Sequence, residues 1–377
     1  MSRSCSGAVS RPGSLPRDSF AGVAMKLVIF GLAVSSSWGN GHAVLWRALI
    51  RALGKLGHYT VFFERDVPYY AQNRDLRVLE GGRLVLYDDW TEVLPEAKRE
   101  LADADAGMVT SYCPDALPAT ELVLEAPTLH LFYDLDTPVT LSRLAAGRSV
   151  AYVGPNGLGP FDLVLSYTGG AALTELHNRL GAKVVVPLYG SVDPDHYRPT
   201  AAEGPRAALS YLGTYAADRQ TALETLLVEP ARRRPHARFV IGGVQYPADF
   251  PWAGNIFFWR HVAASEHPKF YASARLTLNV TRHAMAAFGW CPSGRLFEAA
   301  ACGTPIVSDW WDGLEEFFVA QREIIVVRTT EDVLAALECS DSELSRIGAA
   351  ARERVLTRHT AARRAAEFEW LLSQFGE

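Results

Sequence analysis

Cysteine is sparse and scattered in this chain. The five residues, Cys5, Cys113, Cys291, Cys302 and Cys339, are odd in number, widely spaced and without a C-x-x-C pair. That pattern excludes a disulfide framework and a zinc ribbon, and a reducing cytoplasm is the simplest compartment. Long apolar runs are missing too. The longest strand-like one, Leu27–Val34, falls far short of the roughly 18 residues that cross a bilayer. Positive charge is not in excess, since 37 Lys and Arg face 42 Asp and Glu for a net charge of -5. A general nucleic-acid binder carries the opposite bias, because phosphate neutralisation supplies most of its affinity. Neither nucleic acid nor a membrane span is therefore expected as a partner.

What is present is ordinary globular composition on a long chain. With 377 residues, 49% hydrophobic and 21% charged, the length predicts two domains rather than one core. Met1–Ala24 mixes Ser, Arg, Pro and Gly without an apolar segment. It reads as a disordered leader or a start-site artefact and not as a secretory signal, and Met25 stands directly before the first strand.

Leu27–Val34 has strand length and apolar character throughout, as in a strand covered on both faces. The Ser/Gly loop Ser35–Gly41 follows, then a helical pattern from Val44 to Leu56 and the strand Tyr59–Phe63. Strand-like segments recur at 106–110, 128–133, 163–166 and 183–187, then at 209–212, 238–241, 276–280, 305–308 and 324–327. Helical patterns lie between most of them, among them Ala217–Leu227 and Ser293–Ala301. The alternation predicts an α/β protein of two Rossmann-like, doubly wound parallel-sheet domains facing a cleft. The proline-spaced stretch 192–205 reads as a linker between a first domain of residues 25–191 and a second of 206–357. Residues 358–377 form a final helix that is free to pack back on the first domain. Ligands of such sheets sit beyond the carboxyl ends of the strands, so site candidates belong in the loops that follow strands.

The most informative segment is Cys291–Asp309, CPSGRLFEAAACGTPIVSD. Ser293 suits an N-cap and Gly294 leaves the first turn uncrowded. The free N–H groups and positive end of the helix dipole make a seat for phosphate. Arg295 opposes that dipole yet is well placed to clamp a diphosphate. Glu298 stands among Leu296, Phe297 and Ala299–Ala301 on a helix that should be buried, so its carboxylate needs partners. It shares the face of Gly294 and suits the two hydroxyls of a ribose; the structural alternative is a pairing with a buried Arg such as Arg282. Cys302 reads as buried rather than nucleophilic.

This segment resembles the donor-binding helix of nucleotide-sugar glycosyltransferases of the GT-B fold, closest to the CgeB-like branch and others with a family-1-type C-terminal glycosyltransferase domain. FGLAVSSSWGNGH, VFFERDVPYY, FYDLDTPVTL, FDLVLSYTGG and PLYGSVDP resemble recurring blocks of the same group. The resemblance runs from about Met25 to Phe375. It implies a hexosyltransferase-like enzyme that moves a sugar from a nucleoside-diphosphate donor to a small-molecule or glycan acceptor, without a metal or other cofactor. One departure stands out. Related retaining enzymes carry an E-x7-E pair; Glu298 matches the second position, but Trp290 holds the first.

The resemblance also brings Gly213, Thr214, Tyr215 and Arg219 to the donor phosphates, although Arg219 suits a solvated helix equally well. Gly242 and Gly243 permit close backbone approach to a ligand, or a packing turn. Asn279, Thr281 and Arg282 form a polar cluster at a strand end, with Arg282 a second phosphate contact. On the first domain, Ser37, Trp38, Gly39, Asn40 and Gly41 resemble the glycine-rich acceptor loop of GT-B enzymes. His42 is either a helix-capping residue or a catalytic base. Asp134 and Asp136 follow a strand directly; Asp136 is the acceptor-orienting or base candidate, and capping of the turn before Pro138 is the alternative. Trp252, Phe257, Phe258 and Trp259 either pack or roof a nucleotide base. Two other functions remain open: a dinucleotide-dependent oxidoreductase with Glu64 on a ribose, which the incomplete G-x-G-x-x-G pattern disfavours, and a non-catalytic nucleotide-sugar binder.

Overall fold

The computed structural model describes residues 24–202 and 204–375. The leader lies outside the described residues apart from Ala24. Strands β1 (Lys26–Gly31), β2 (Tyr59–Arg65), β3 (Gly82–Tyr87), β4 (Ala106–Thr110), β5 (Leu129–Asp134), β6 (Leu163–Ser166) and β7 (Val185–Pro187) form a seven-stranded sheet in the order β3-β2-β1-β4-β5-β6-β7. Strands β8 (Ala207–Leu212), β9 (Phe239–Gly243), β10 (Ile256–Arg260), β11 (Ala274–Asn279), β12 (Ile306–Ser308) and β13 (Ile325–Val326) form a six-stranded sheet in the order β10-β9-β8-β11-β12-β13. Every pairing is parallel. The order reverses between β1 and β4 in one sheet and between β8 and β11 in the other, and ligand crevices form at such reversals.

The apolar run of β1 is explained by its two covered faces. Leu27 and Ile29 join Leu45, Trp46 and Leu49 of the helix Gly41–Lys55, while Val28 and Phe30 join Val93, Ala97 and Val123 on the other side. The final helix, Ala361–Ser373, buries Ala365, Phe368 and Leu372 in the first of these clusters, so the chain's last element completes the first domain. The two crossings between domains run side by side: Val192 N–H donates to the His359 carbonyl at 3.0 Å, and Ala361 N–H to that of Val192 at 2.8 Å.

Strand β3 lies where no strand was expected, and two further segments differ from expectation. The helix expected at Ala217–Leu227 is broken into a 3₁₀ turn at Ala217–Arg219, a short α segment, and a π turn at Glu224–Val228. Pro230 follows at once and has no N–H for the Leu226 carbonyl, so the ladder widens ahead of it. The aromatic run Phe257–Trp259 lies on β10, an edge strand, with each ring at least one-third exposed. Phe258 and Trp252 stack around Tyr246 and do not reach the cleft, so they roof no base.

Candidate functional site

A cleft of about 530 Å³ separates the domains. It is lined by the loops after β1 and β5 on one side, and by those after β8, β9 and β11 and the start of the helix Gly294–Ala301 on the other. All of these are carboxyl-terminal strand ends or helix starts.

On the second domain, Ser293 holds the N-cap position in extended backbone, but its hydroxyl makes no capping bond. The Leu296 N–H donates to the Ser293 carbonyl at 2.9 Å, so the N–H groups of Gly294 and Arg295 are those left to the cleft. Arg295 is held rigidly beside them. Its Nε donates to the Leu212 carbonyl, its Nη1 to Asn279 Oδ1 at 2.8 Å, and its guanidinium lies 5.1 Å from the Tyr211 ring centre. Gly213 lets the backbone pass close to this pair, since a Cβ there would lie 2.8 Å from Tyr211 Oη and 2.9 Å from Arg295 Nη2 and would displace one of them. Gly243, with φ of +153°, meets the Gly213 carbonyl so closely that a Cβ would lie 2.1 Å from its oxygen. Arg219 is not a solvated helix residue. It lines the cleft and donates to Tyr211 Oη at 2.8 Å, while its buried Nε has no partner among the described residues. Thr214 also lines this wall.

Glu298 is 9% exposed and lines the cleft. Its Oε2 accepts from Tyr271 Oη at 3.0 Å and lies 3.2 Å from His267 Nδ1. Burial alone would push this carboxyl up; the adjacent His267 and the Tyr271 hydroxyl outweigh burial and hold it below its ordinary range. Tyr197, 3.2 Å from His267 Nδ1, also hydrogen-bonds this carboxyl, and Oε1 lies 3.9 Å from where a Gly294 Cβ would be. The alternative pairing with Arg282 is absent: that guanidinium binds Asp218 at 3.1 Å, though it still borders the cleft.

The first-domain wall rests on Glu64. Its carboxylate, fully buried at the end of β2, accepts from the N–H groups of Val34 and Ser35 at 2.7 and 2.9 Å and from Ser35 Oγ at 2.5 Å. The acid that a dinucleotide ribose would need is spent on the loop after β1, and this rules out the oxidoreductase geometry. Asp75 fixes the same loop by accepting from Ser37 N–H at 3.0 Å while paired to Arg47 at 2.6 Å. Asn40, not His42, caps the following helix, its Oδ1 accepting from His42 N–H at 3.1 Å. The His42 ring is thereby released to the cleft, with Nε2 3.9 Å from Asp136 Oδ2. Tyr112 Oη donates to the same Asp136 oxygen at 2.9 Å. The two acids divide their roles. Asp134 is buried, accepts from Asp136 N–H and Thr140 Oγ1, and is pushed up to about 6 by that burial, whereas Asp136 makes no cap and faces the cleft.

Ser37, Gly39, Asn40 and Gly41 line the cleft as expected, but Trp38 turns away from it to stack on His261 at 4.4 Å. Tyr215 packs against Tyr246 and Phe250 instead of the cleft, where its ring joins the aromatic cluster. Asn279 sits behind Arg295 rather than in the lining. Trp290, in left-handed backbone with φ of 44°, plugs a cradle left by Gly170 and Gly313, where a Cβ would come within 2.4 and 2.5 Å of its ring. Sequence reasoning missed His267, Tyr271 and Tyr112. Only the unpaired charge of Glu298 hinted that partners such as the first two had to exist.

Residues 219–369 match the family model described as glycosyl transferase-like. No curated protein sequence matches the chain. Among solved structures, it resembles the sucrose-phosphate synthase of Thermosynechococcus elongatus, at 14% identity and a TM-score of 0.68, covering 93% of this chain and 99% of that one. It also resembles Anabaena HepE in complex with UDP-glucose, at 11% identity and a TM-score of 0.65, covering 93% and 100%. An alpha-glucosyltransferase in complex with UDP is similar at 11% identity and a TM-score of 0.68, with the same coverage. The chain has the GT-B fold of these glycosyltransferases, and its second half is a glycosyl transferase-like domain.

Proposed function

We propose that the protein transfers a sugar from a nucleoside-diphosphate donor on the second domain to an acceptor held by the first. One observation carries this reading: a buried carboxylate, Glu298, lines the cleft one turn below the open N–H groups of Gly294 and Arg295, with the guanidinium groups of Arg295 and Arg219 in the same lining. That set is complementary to a ribose diol joined to a diphosphate. The UDP and UDP-glucose in the similar structures make uridine donors the first to test.

In the transfer, the bond from the anomeric carbon to the diphosphate oxygen breaks and its electrons leave with the diphosphate. The helix start, Arg219 and Arg295 stabilise that growing charge without a metal ion. An acceptor oxygen forms the new bond, and its proton passes to His42, whose imidazolium Asp136 then stabilises. Closure of the two walls on the donor excludes water from the reacting centre. The free thiols Cys113, Cys291 and Cys302, all buried, suit a cytoplasmic setting. Among the described residues no helix is long and apolar enough to cross a membrane.

A second reading has its own support: Trp290 in place of a carboxylate fits a nucleotide-sugar binder that does not turn over. Thermal-shift titration with UDP-, GDP-, ADP- and dTDP-sugars and with NADH tests donor class. Stabilisation by a nucleotide sugar, followed by release of the free diphosphate, supports transfer. Stabilisation without release supports the binder, and stabilisation by NADH alone contradicts both.

A further inference from the structure

The cleft is electrically divided. Its three guanidinium groups, Arg219, Arg282 and Arg295, all come from the second domain. Among the described residues of the first domain no Lys or Arg lines it, and Asp136 is the one carboxylate that does. The nearby first-domain arginines are already engaged: Arg47 with Asp75 at 2.6 Å, Arg65 with Asp115 at 3.0 Å and Arg74 with Asp66 at 2.7 Å.

An anionic group entering this side would meet Asp136 and find no free cation to replace its lost hydration. A cationic group would compete with His42 for the same carboxylate, whose Oδ2 lies 3.9 Å from the ring. The rest of the wall suits neither sign. Tyr70, Tyr112 and Tyr167 present rings with hydroxyl edges, and Ser37 and Asn40 add small neutral polar groups. Aromatic residues with a few neutral hydrogen-bonding groups suit an uncharged, hydroxyl-rich ligand.

We propose that the acceptor is a neutral polyhydroxylated small molecule, a sugar or polyol bearing no phosphate, carboxylate or amine. This rests on the transferase reading, and the two fail separately. Binding of UDP, GDP, ADP and dTDP is measured first by calorimetry; binding of none of them defeats the transferase reading itself, and where a nucleotide other than UDP binds, its labelled sugars replace the uridine donors below. The protein is then incubated with a mixture of UDP-[14C]glucose, UDP-[14C]galactose and UDP-[14C]N-acetylglucosamine. Each incubation contains one of three pools of a cell metabolite extract: retained on an anion exchanger, retained on a cation exchanger, or passing both. The expected result is new labelled product in the neutral pool at no less than ten times the level in either charged pool, with the anionic pool becoming active after phosphatase treatment. Label appearing chiefly in a charged pool overturns the proposal. So does label in none of them while the nucleotide still binds.

Discussion

Glu298 Oε2 lies 3.2 Å from Nδ1 of His267, and the same oxygen accepts from Tyr271 Oη at 3.0 Å. The pair keeps a buried acid ionised at the point where a ribose would sit. Replacing Glu298 by Ala should weaken UDP binding about 10- to 100-fold, the range of hydrogen bonds to a charged group. Isothermal titration reads this directly, and an unchanged affinity would remove the ribose role.

The same contact sets a pH dependence. Because His267 and Tyr271 outweigh burial and hold Glu298 below its ordinary range, the ionised form persists at mildly acid pH and is lost only as pH falls through that lowered value. His267→Ala removes the largest influences that oppose burial, so the carboxyl rises. UDP affinity of the variant should therefore decline at higher pH than that of the wild type, and superimposable pH profiles would contradict the coupling.

His42→Ala and Asp136→Asn should each slow sugar transfer about 100- to 10,000-fold, as loss of a general base does. UDP affinity should stay within about twofold, since both residues lie on the opposite wall. A variant that loses donor affinity instead would place His42 on the donor side. Turnover and calorimetry on the same preparations separate the two outcomes.

Gly243→Ala tests the backbone of the donor wall. The added Cβ would lie 2.1 Å from the Gly213 oxygen, so one loop must move. The strain costs about 1–3 kcal/mol of stability. The displaced Gly213 should also disturb Arg295, which donates to the neighbouring Leu212 carbonyl. A tenfold or greater loss of UDP affinity is expected. Full affinity in a folded variant would show that the Gly213–Gly243 contact does not shape the site.

His359 offers a test away from the cleft. It stacks on Phe297 at 4.8 Å and packs against Phe317 at 5.6 Å at the crossing of the domains, with neither ring nitrogen bonded, and burial above all pushes it down to about 3. The unfolded chain takes up a proton below about pH 6.5 that the folded chain refuses until about pH 3. Wild-type stability should thus fall with pH across that window. His359→Phe, which keeps the stacking and has no nitrogen, should gain about 2 kcal/mol relative to wild type at pH 5 and little of that at pH 8. Parallel urea melts at the two pH values decide it.

Much of the frame was legible because its signals are local. The run Leu27–Val34 marked a strand with two covered faces, and the conflict of an acid on an apolar helix singled out Glu298. What escaped were relationships across distance in sequence. His267 and Tyr271 reach Glu298 from 31 and 27 residues away, and Tyr112 joins Asp136 across 24. Trp290 was visible as a missing carboxylate, but its fit against Gly170 and Gly313 comes only from tertiary packing. Tyr215 and Trp38 stood in the expected loops, yet a loop's position does not fix which way its side chains turn, and neighbouring aromatic groups claimed both rings.

The most direct test is a crystal structure of the protein with UDP bound. The diphosphate should rest on Gly294 and Arg295 with Arg219 alongside, and Glu298 Oε1 should accept from the ribose hydroxyls. A nucleotide found instead on the Ser35–Gly41 loop, with the start of the 294–301 helix empty, would contradict the central claim.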